Sequence, residues 1–194
     1  MKNFLLTLIS ALLLLTVVSC NTYFNNIQTY QDEFKSSKKF ILNQYFRPEE
    51  RKSLVSAVNI TYEKEIVSAK PDIYNMYFVF TRGTTSFNID RKGFLKIGES
   101  KFDIETKDIQ TELKTGVNDT STTTTDSTGT HTIASSETVH WVNDKFKIAL
   151  SPDMVAAITQ NNVMTIRFYS GPVPVTFTVK EGYYAKMKEM MAKK

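Results

Sequence analysis

The sequence predicts an α+β domain, mainly antiparallel β-sheet with about three short helices packed on it. Three observations carry this. Apolar and polar residues alternate at period two in run after run, as where Phe146, Ile148 and Leu150 alternate with Lys145, Lys147 and Ala149, the pattern of a strand with one wet face. The runs are joined by short turn signals such as Lys70-Pro71-Asp72 and Ser170-Gly171-Pro172, which suit antiparallel neighbours and are too short for parallel crossovers. Helical spacing is confined to a few short segments, which such a sheet can carry on one face.

In chain order, Ile27, Tyr30 and Phe34 recur at three- and four-residue spacing and predict an amphipathic helix of two to three turns. Residues Phe40 to Phe46 fit either its continuation or a strand, and Arg47-Pro48 ends both, because the residue before proline is pushed out of the helical region. From Leu54 to Val67 the period becomes two and predicts a long strand. Tyr74 to Phe80 is apolar on both faces, so it belongs in the middle of a sheet. Thr84 to Asp90 carries Phe87 and Ile89, and Asp90-Arg91-Lys92-Gly93 reads as a hairpin loop. Phe94–Ile97 and Lys101–Glu105 are two short strands across Gly98-Glu99-Ser100.

Residues Thr115 to Thr138 differ in kind. Ten of the 24 are Thr and four are Ser, too little apolar surface to offset ordering entropy, and the tract is expected to be a flexible insertion, either a mobile surface loop or an extended hairpin. Within it, Asp126-Ser127-Thr128 resembles an O-glycosylation acceptor used by some bacteria, although a plain solvated insertion is the favoured reading. A strand follows over Lys145–Leu150. Ser151-Pro152-Asp153 then opens a helix over Met154–Gln160, with Ser as cap, Pro in the first turn and an acid at the positive end of the dipole. Val163–Tyr169 and Val173–Val179 form the clearest hairpin, and Pro174, lacking an amide proton, argues for an edge position in its second strand. Gly182 to Ala192 is a closing helix with Tyr183, Met187, Met190 and Met191 along one side and lysines on the other. Such a stripe could rest on an anionic membrane, but covering a sheet face is the favoured reading.

The N-terminal stretch MKNFLLTLISALLLLTVVSC has the build of an export signal: a cation at Lys2, an apolar block too short to span a bilayer comfortably, and small residues at its end. Its last residues, Val17-Val18-Ser19-Cys20, resemble the lipobox of bacterial lipoproteins, cut by signal peptidase II. That resemblance implies cleavage between Ser19 and Cys20, diacylglycerol on the Cys20 thiol and further acylation, palmitate for example, on the new amino group. Cys20 is the only Cys in 194 residues, so no internal disulfide competes for it. The expected organisation is a removed signal over 1–19, a lipidated tether over 20–26, and a single domain over 27–194. The expected location is the bacterial cell envelope, the outer membrane or cell surface ahead of the inner membrane.

The 24 Lys and Arg exceed the 20 Asp and Glu by four, spread along the chain, which argues against a nucleic-acid partner. There is no Gly-x-Ser-x-Gly elbow, phosphate-binding Gly loop or paired-His zinc motif, so neither a cofactor nor a metal is expected. His140 and Trp141 are candidates for stacking on a ligand, against the plainer reading of a strand end packed on the sheet. Asp103, Glu105 and Asp108 could attract a cation, but a solvated sheet face explains them better. The resulting expectation is a non-enzymatic binding or scaffolding domain. It meets lipid through Cys20 and takes a protein, a glycan or a small apolar ligand. The alternative is a cell-wall or glycan hydrolase using paired carboxylates.

Overall fold

A computed structural model describes residues 24–194 apart from 107, 127 and 128. The stretch expected to be an export signal, the lipobox-like Val17-Val18-Ser19-Cys20 and the first residues of the expected tether lie outside the described residues. Among the described residues, ten strands form two antiparallel sheets. In the six-stranded sheet, β1 (Ile27–Asp32), β2 (Ser37–Phe46), β3 (Val55–Val67) and β4 (Ile73–Gly83) follow as a meander. The long hairpin of β8 (Gly129–Ala149) and β7 (Gln110–Asp126) then completes the order β1-β2-β3-β4-β8-β7. The four-stranded sheet has β10 (Val173–Lys180), β9 (Val163–Ser170), β5 (Lys92–Ile97) and β6 (Ser100–Glu105) in the order β10-β9-β5-β6. Two helices follow strands: α1 (Pro152–Gln160) after β8 and α2 (Glu181–Ala192) after β10. The mainly antiparallel α+β class holds, with two helices among the described residues.

The helix expected over Ile27–Phe34 is instead β1 and the turn after it. All six residues of β1 find partners on β2, from Ile27 opposite Leu42 to Asp32 opposite Ser37. The three apolar residues that suggested a stripe are not buried together: Tyr30 and Phe34 are exposed. Pairing with β2 satisfies the backbone, and the local spacing does not compete with it.

The two sheets meet through aromatic rings. Phe78 and Phe80 of β4 and Phe146 of β8 stack on one side, with Phe78 and Phe146 centroids 5.1 Å apart. Phe168 of β9 meets all three edge-on or tilted from the other side, closest to Phe146 at 5.0 Å. Gly93 of β5 makes room for this ring: a Cβ there would lie 2.6 Å from Phe168 Cδ1 and 2.7 Å from the Arg167 carbonyl. Residues on both sides of the Thr-rich tract, such as Phe78 and Phe146, belong to this one core. β4 lies between β3 and β8, as its two apolar faces require, and Pro174 does sit on an edge strand.

Both helices close the sandwich. Ser151 accepts a hydrogen bond from the Met154 amide, with Pro152 in the first turn, as the sequence predicts. In α2 the buried side is Tyr184, Met187, Met190 and Met191, so the core reading of this helix is correct, but Tyr184 is the tyrosine inside and Tyr183 is exposed. The Tyr184 hydroxyl donates to the Ile158 carbonyl, 2.9 Å away, and ties the two helices together. At the far end of α2 the buried Lys64 ammonium donates to the carbonyls of Met191 and Lys193 at 2.8 and 2.7 Å and pairs with Asp72 at 3.0 Å. A cation at that end complements the helix dipole.

The Thr-rich tract, expected above all as a flexible loop between two strands of one domain, is instead a regular β-ribbon. β7 pairs with β8 without interruption from Gln110–Lys145 to Asp126–Gly129, whereas β4 pairs with β8 only from Trp141 onward. The dozen β8 residues beyond that point, with their β7 partners, overhang the sheet by about 40 Å at ~3.3 Å per residue. Hydroxyl pairs line the overhang: Thr120 with Ser135 at 2.6 Å, Thr123 with Thr132 at 3.1 Å, Thr125 with Thr130 at 3.2 Å. A two-stranded ribbon is marginal in water and adds little to its host. Excision of Val117–Thr138 with an Asn-Gly link is therefore expected to shift Tm by less than about 3 °C, where 1 kcal/mol corresponds to 2–4 °C for a domain of this size. A circular-dichroism melt checks this, and a fall above ~10 °C would show that the ribbon supports the core.

Candidate functional site

β7 begins at Gln110, opposite Lys145, so the last residues of β8, from Phe146 to Ala149, have no strand on that side. In the other sheet β6 is one of the two edge strands. Between these two open edges lies a cleft of about 930 Å³, within the range typical of small-ligand sites. Phe78, Phe146 and Ile148 of the large sheet, Ile104 of β6 and Met154 of α1 supply its apolar lining. Its rim carries Asp103, Glu105 and Asp108 from β6 and the segment after it, and Lys145 and Lys147 from β8. Period-two alternation explains this division: on β6 Ile104 turns inward while Asp103 and Glu105 turn out, and on β8 Phe146 and Ile148 turn inward while Lys145 and Lys147 turn out.

The rim is held by local electrostatics. Glu112 bridges Lys114 and Lys145, the latter at 2.6 Å. Hydrogen bonds from Lys114 first and Lys145 second lower its carboxyl from 4.5 to about 2. A lowered carboxylate stabilises the fold above its unfolded value and loses that contribution as pH falls from 4.5 towards 2. Because the group is open to water, this contribution is small. Following the Glu112 carboxyl carbon by NMR is expected to give a midpoint near 2, returning towards 4.5 in Lys145→Met. No change in that variant would remove Lys145 from the bridge. In the cleft wall, the Tyr77 hydroxyl donates to Glu63 at 3.1 Å, and burial followed by the Glu63 charge raises it to about 12.

Asp103, Glu105 and Asp108 thus share one wall of the cleft, all three exposed. They do not gather into a metal site: among the described residues no group of three or more His, Cys, Asp or Glu is placed to hold an ion. His140 and Trp141 are not brought together as a stacking surface. As successive strand residues they point to opposite faces. His140 is exposed, with Nδ1 3.0 Å from Thr115 Oγ1, and Trp141 lies across Gly116, where a Cβ would come within 2.9 Å of the ring. Both sit where the ribbon leaves the sheet and neither lines the cleft. Of the cleft residues, sequence reasoning singled out only the three acids; Tyr77, Lys145, Lys147 and Met154 are among those it passed over. Their alternation was legible, but the point where β7 stops pairing was not. No family model matches the chain, and neither a curated protein nor a solved structure shows detectable similarity to it.

Proposed function

We propose that the chain is an exported envelope lipoprotein, acylated at Cys20, whose domain is a non-enzymatic binding module working through the cleft between β6 and β8. The observation that supports this reading best is the make-up of the cleft: an apolar interior framed by acids on one wall and lysines on the other. It suits an elongated ligand with an apolar middle and polar ends, a peptide segment or a small amphiphile. Acid–base hydrolysis of a glycan needs two carboxyl groups flanking the scissile bond. Here the carboxylates share one wall and are exposed, and the deeply buried Asp144 is engaged by Arg82 and Thr111. Binding is therefore the better-supported reading.

Two measurements test it. Metabolic labelling with a palmitate analogue is expected to mark the wild-type chain and to be lost in Cys20→Ala; equal label in both would end the anchor. For the cleft, the fluorescent apolar probe anilinonaphthalenesulfonate is expected to bind the native domain and to bind at least about tenfold more weakly to Met154→Glu that a circular-dichroism melt shows to be still folded, since a charge on the half-buried apolar lining opposes an apolar ligand. Equal binding in the two proteins would sink the cleft as the binding surface.

A further inference from the structure

The geometry points to the open edge of β1 as the face that rests on the bilayer, with Phe34 entering the boundary between headgroups and acyl chains and Tyr30 and Phe24 at headgroup level. This rests on the lipid anchor at Cys20 proposed above. Phe24 follows Cys20 by four residue steps, which fully extended reach at most about 14 Å. The bilayer surface therefore passes within that distance of Phe24, which bridges to Asn43 of β2 beside the start of β1.

That neighbourhood carries the right side chains. Phe34, at the tip of the β1–β2 turn, is fully exposed, while Tyr30 and Phe24 are 52% and 47% exposed. A wholly exposed Phe at a turn tip is unfavourable in water, yet aromatic rings are enriched at membrane interfaces because an apolar ring beside polar groups fits that zone. The tip also carries Asp32 and Glu33 against Lys35 and Lys38, a balanced set. Attraction would therefore come from the rings, independently of anionic lipid. Asp32 shapes the turn by accepting the Lys35 amide at 3.1 Å, which holds Phe34 outward. At headgroup level, water and phosphate can satisfy the unpaired edge of β1, so only the ring need go deeper.

The sheet order makes this orientation useful. β1 and β7 are the two ends of the six-stranded sheet, and strands lie about 4.8 Å apart. With β1 down, the edge of β8, the cleft and the ribbon stand about 20 Å away from the lipid surface and face outward. The anchor then presents the cleft to whatever lies beyond the membrane.

The test uses the full-length acylated protein in phosphatidylcholine vesicles with brominated acyl chains. Trp141→Phe provides a background without Trp, into which Phe34→Trp or, as a control on the ribbon, Ile133→Trp is placed. Both positions are exposed, so neither change threatens the fold. The indole at position 34 is expected to shift to shorter emission wavelength and to lose at least about half its intensity to bromine, while the one at 133 does not change. Mass spectrometry of the N-terminal peptide in the same samples reports acylation. Acylated protein with both indoles unquenched would overturn the β1 edge and leave the anchor standing. Protein without the acyl chains would overturn the anchor and this orientation with it. Equal quenching at both positions would also overturn it, because the ribbon could not then face away.

Discussion

Asp144→Ala is expected to destabilise the folded domain by about 3–5 kcal/mol, a large fraction of the ~5–15 kcal/mol that holds a domain folded. The Asp144 side chain is completely buried and that of Arg82 nearly so, and their Oδ2–Nε distance is 2.6 Å. Arg82 also donates to the Ser86 carbonyl at 3.0 Å and to Asn88 at 2.7 Å, while Asp144 accepts from Thr111 at 2.7 Å. Removing the carboxylate strands a guanidinium in the interior, which is far costlier than losing an ion pair in water. The same reasoning predicts that a matched apolar replacement, Arg82→Met with Asp144→Leu, recovers most of the loss. Urea unfolding of the two variants checks both statements. A cost below ~1 kcal/mol for Asp144→Ala would mean that water reaches the pair. The contrast is Lys39, partly exposed and 3.6 Å from Glu63, where Lys39→Ala should cost under about 1 kcal/mol.

Phe168→Ala is expected to cost about 3–5 kcal/mol as well, through a cavity instead of a charge. Its ring touches Phe78, Phe80 and Phe146 together, so the space it leaves borders three rings that are already packed on one another. Phe168→Leu keeps most of the volume and should lose less than half as much. Differential scanning calorimetry of the pair separates the two cases. If Ala and Leu cost the same, edge-to-face ring geometry, and not cavity volume, would dominate.

Several features needed only the sequence. The alternation in β3, β4, β8, β9 and β10 was visible because a half-buried strand must place every second side chain in the core. The start of α1 at Ser151-Pro152-Asp153 was visible because a cap is satisfied within one turn of chain. The edge position of Pro174 followed from its missing amide proton.

Other features were decided only by tertiary structure. Whether Ile27 to Phe34 coils or extends depends on β2 being available to pair with it, and three apolar residues at helical spacing do not outweigh a ladder of six partners. The Thr-rich tract becomes a ribbon because β7 and β8 enter it already paired, and each step then adds hydrogen bonds at little further cost in loop closure. Arg82 and Asp144 stand 62 residues apart, and nothing local to either announces the other. The cleft has the same origin. It exists because β7 ends its pairing at Gln110 while β8 continues to Ala149, an offset between strands that no single segment of the chain contains.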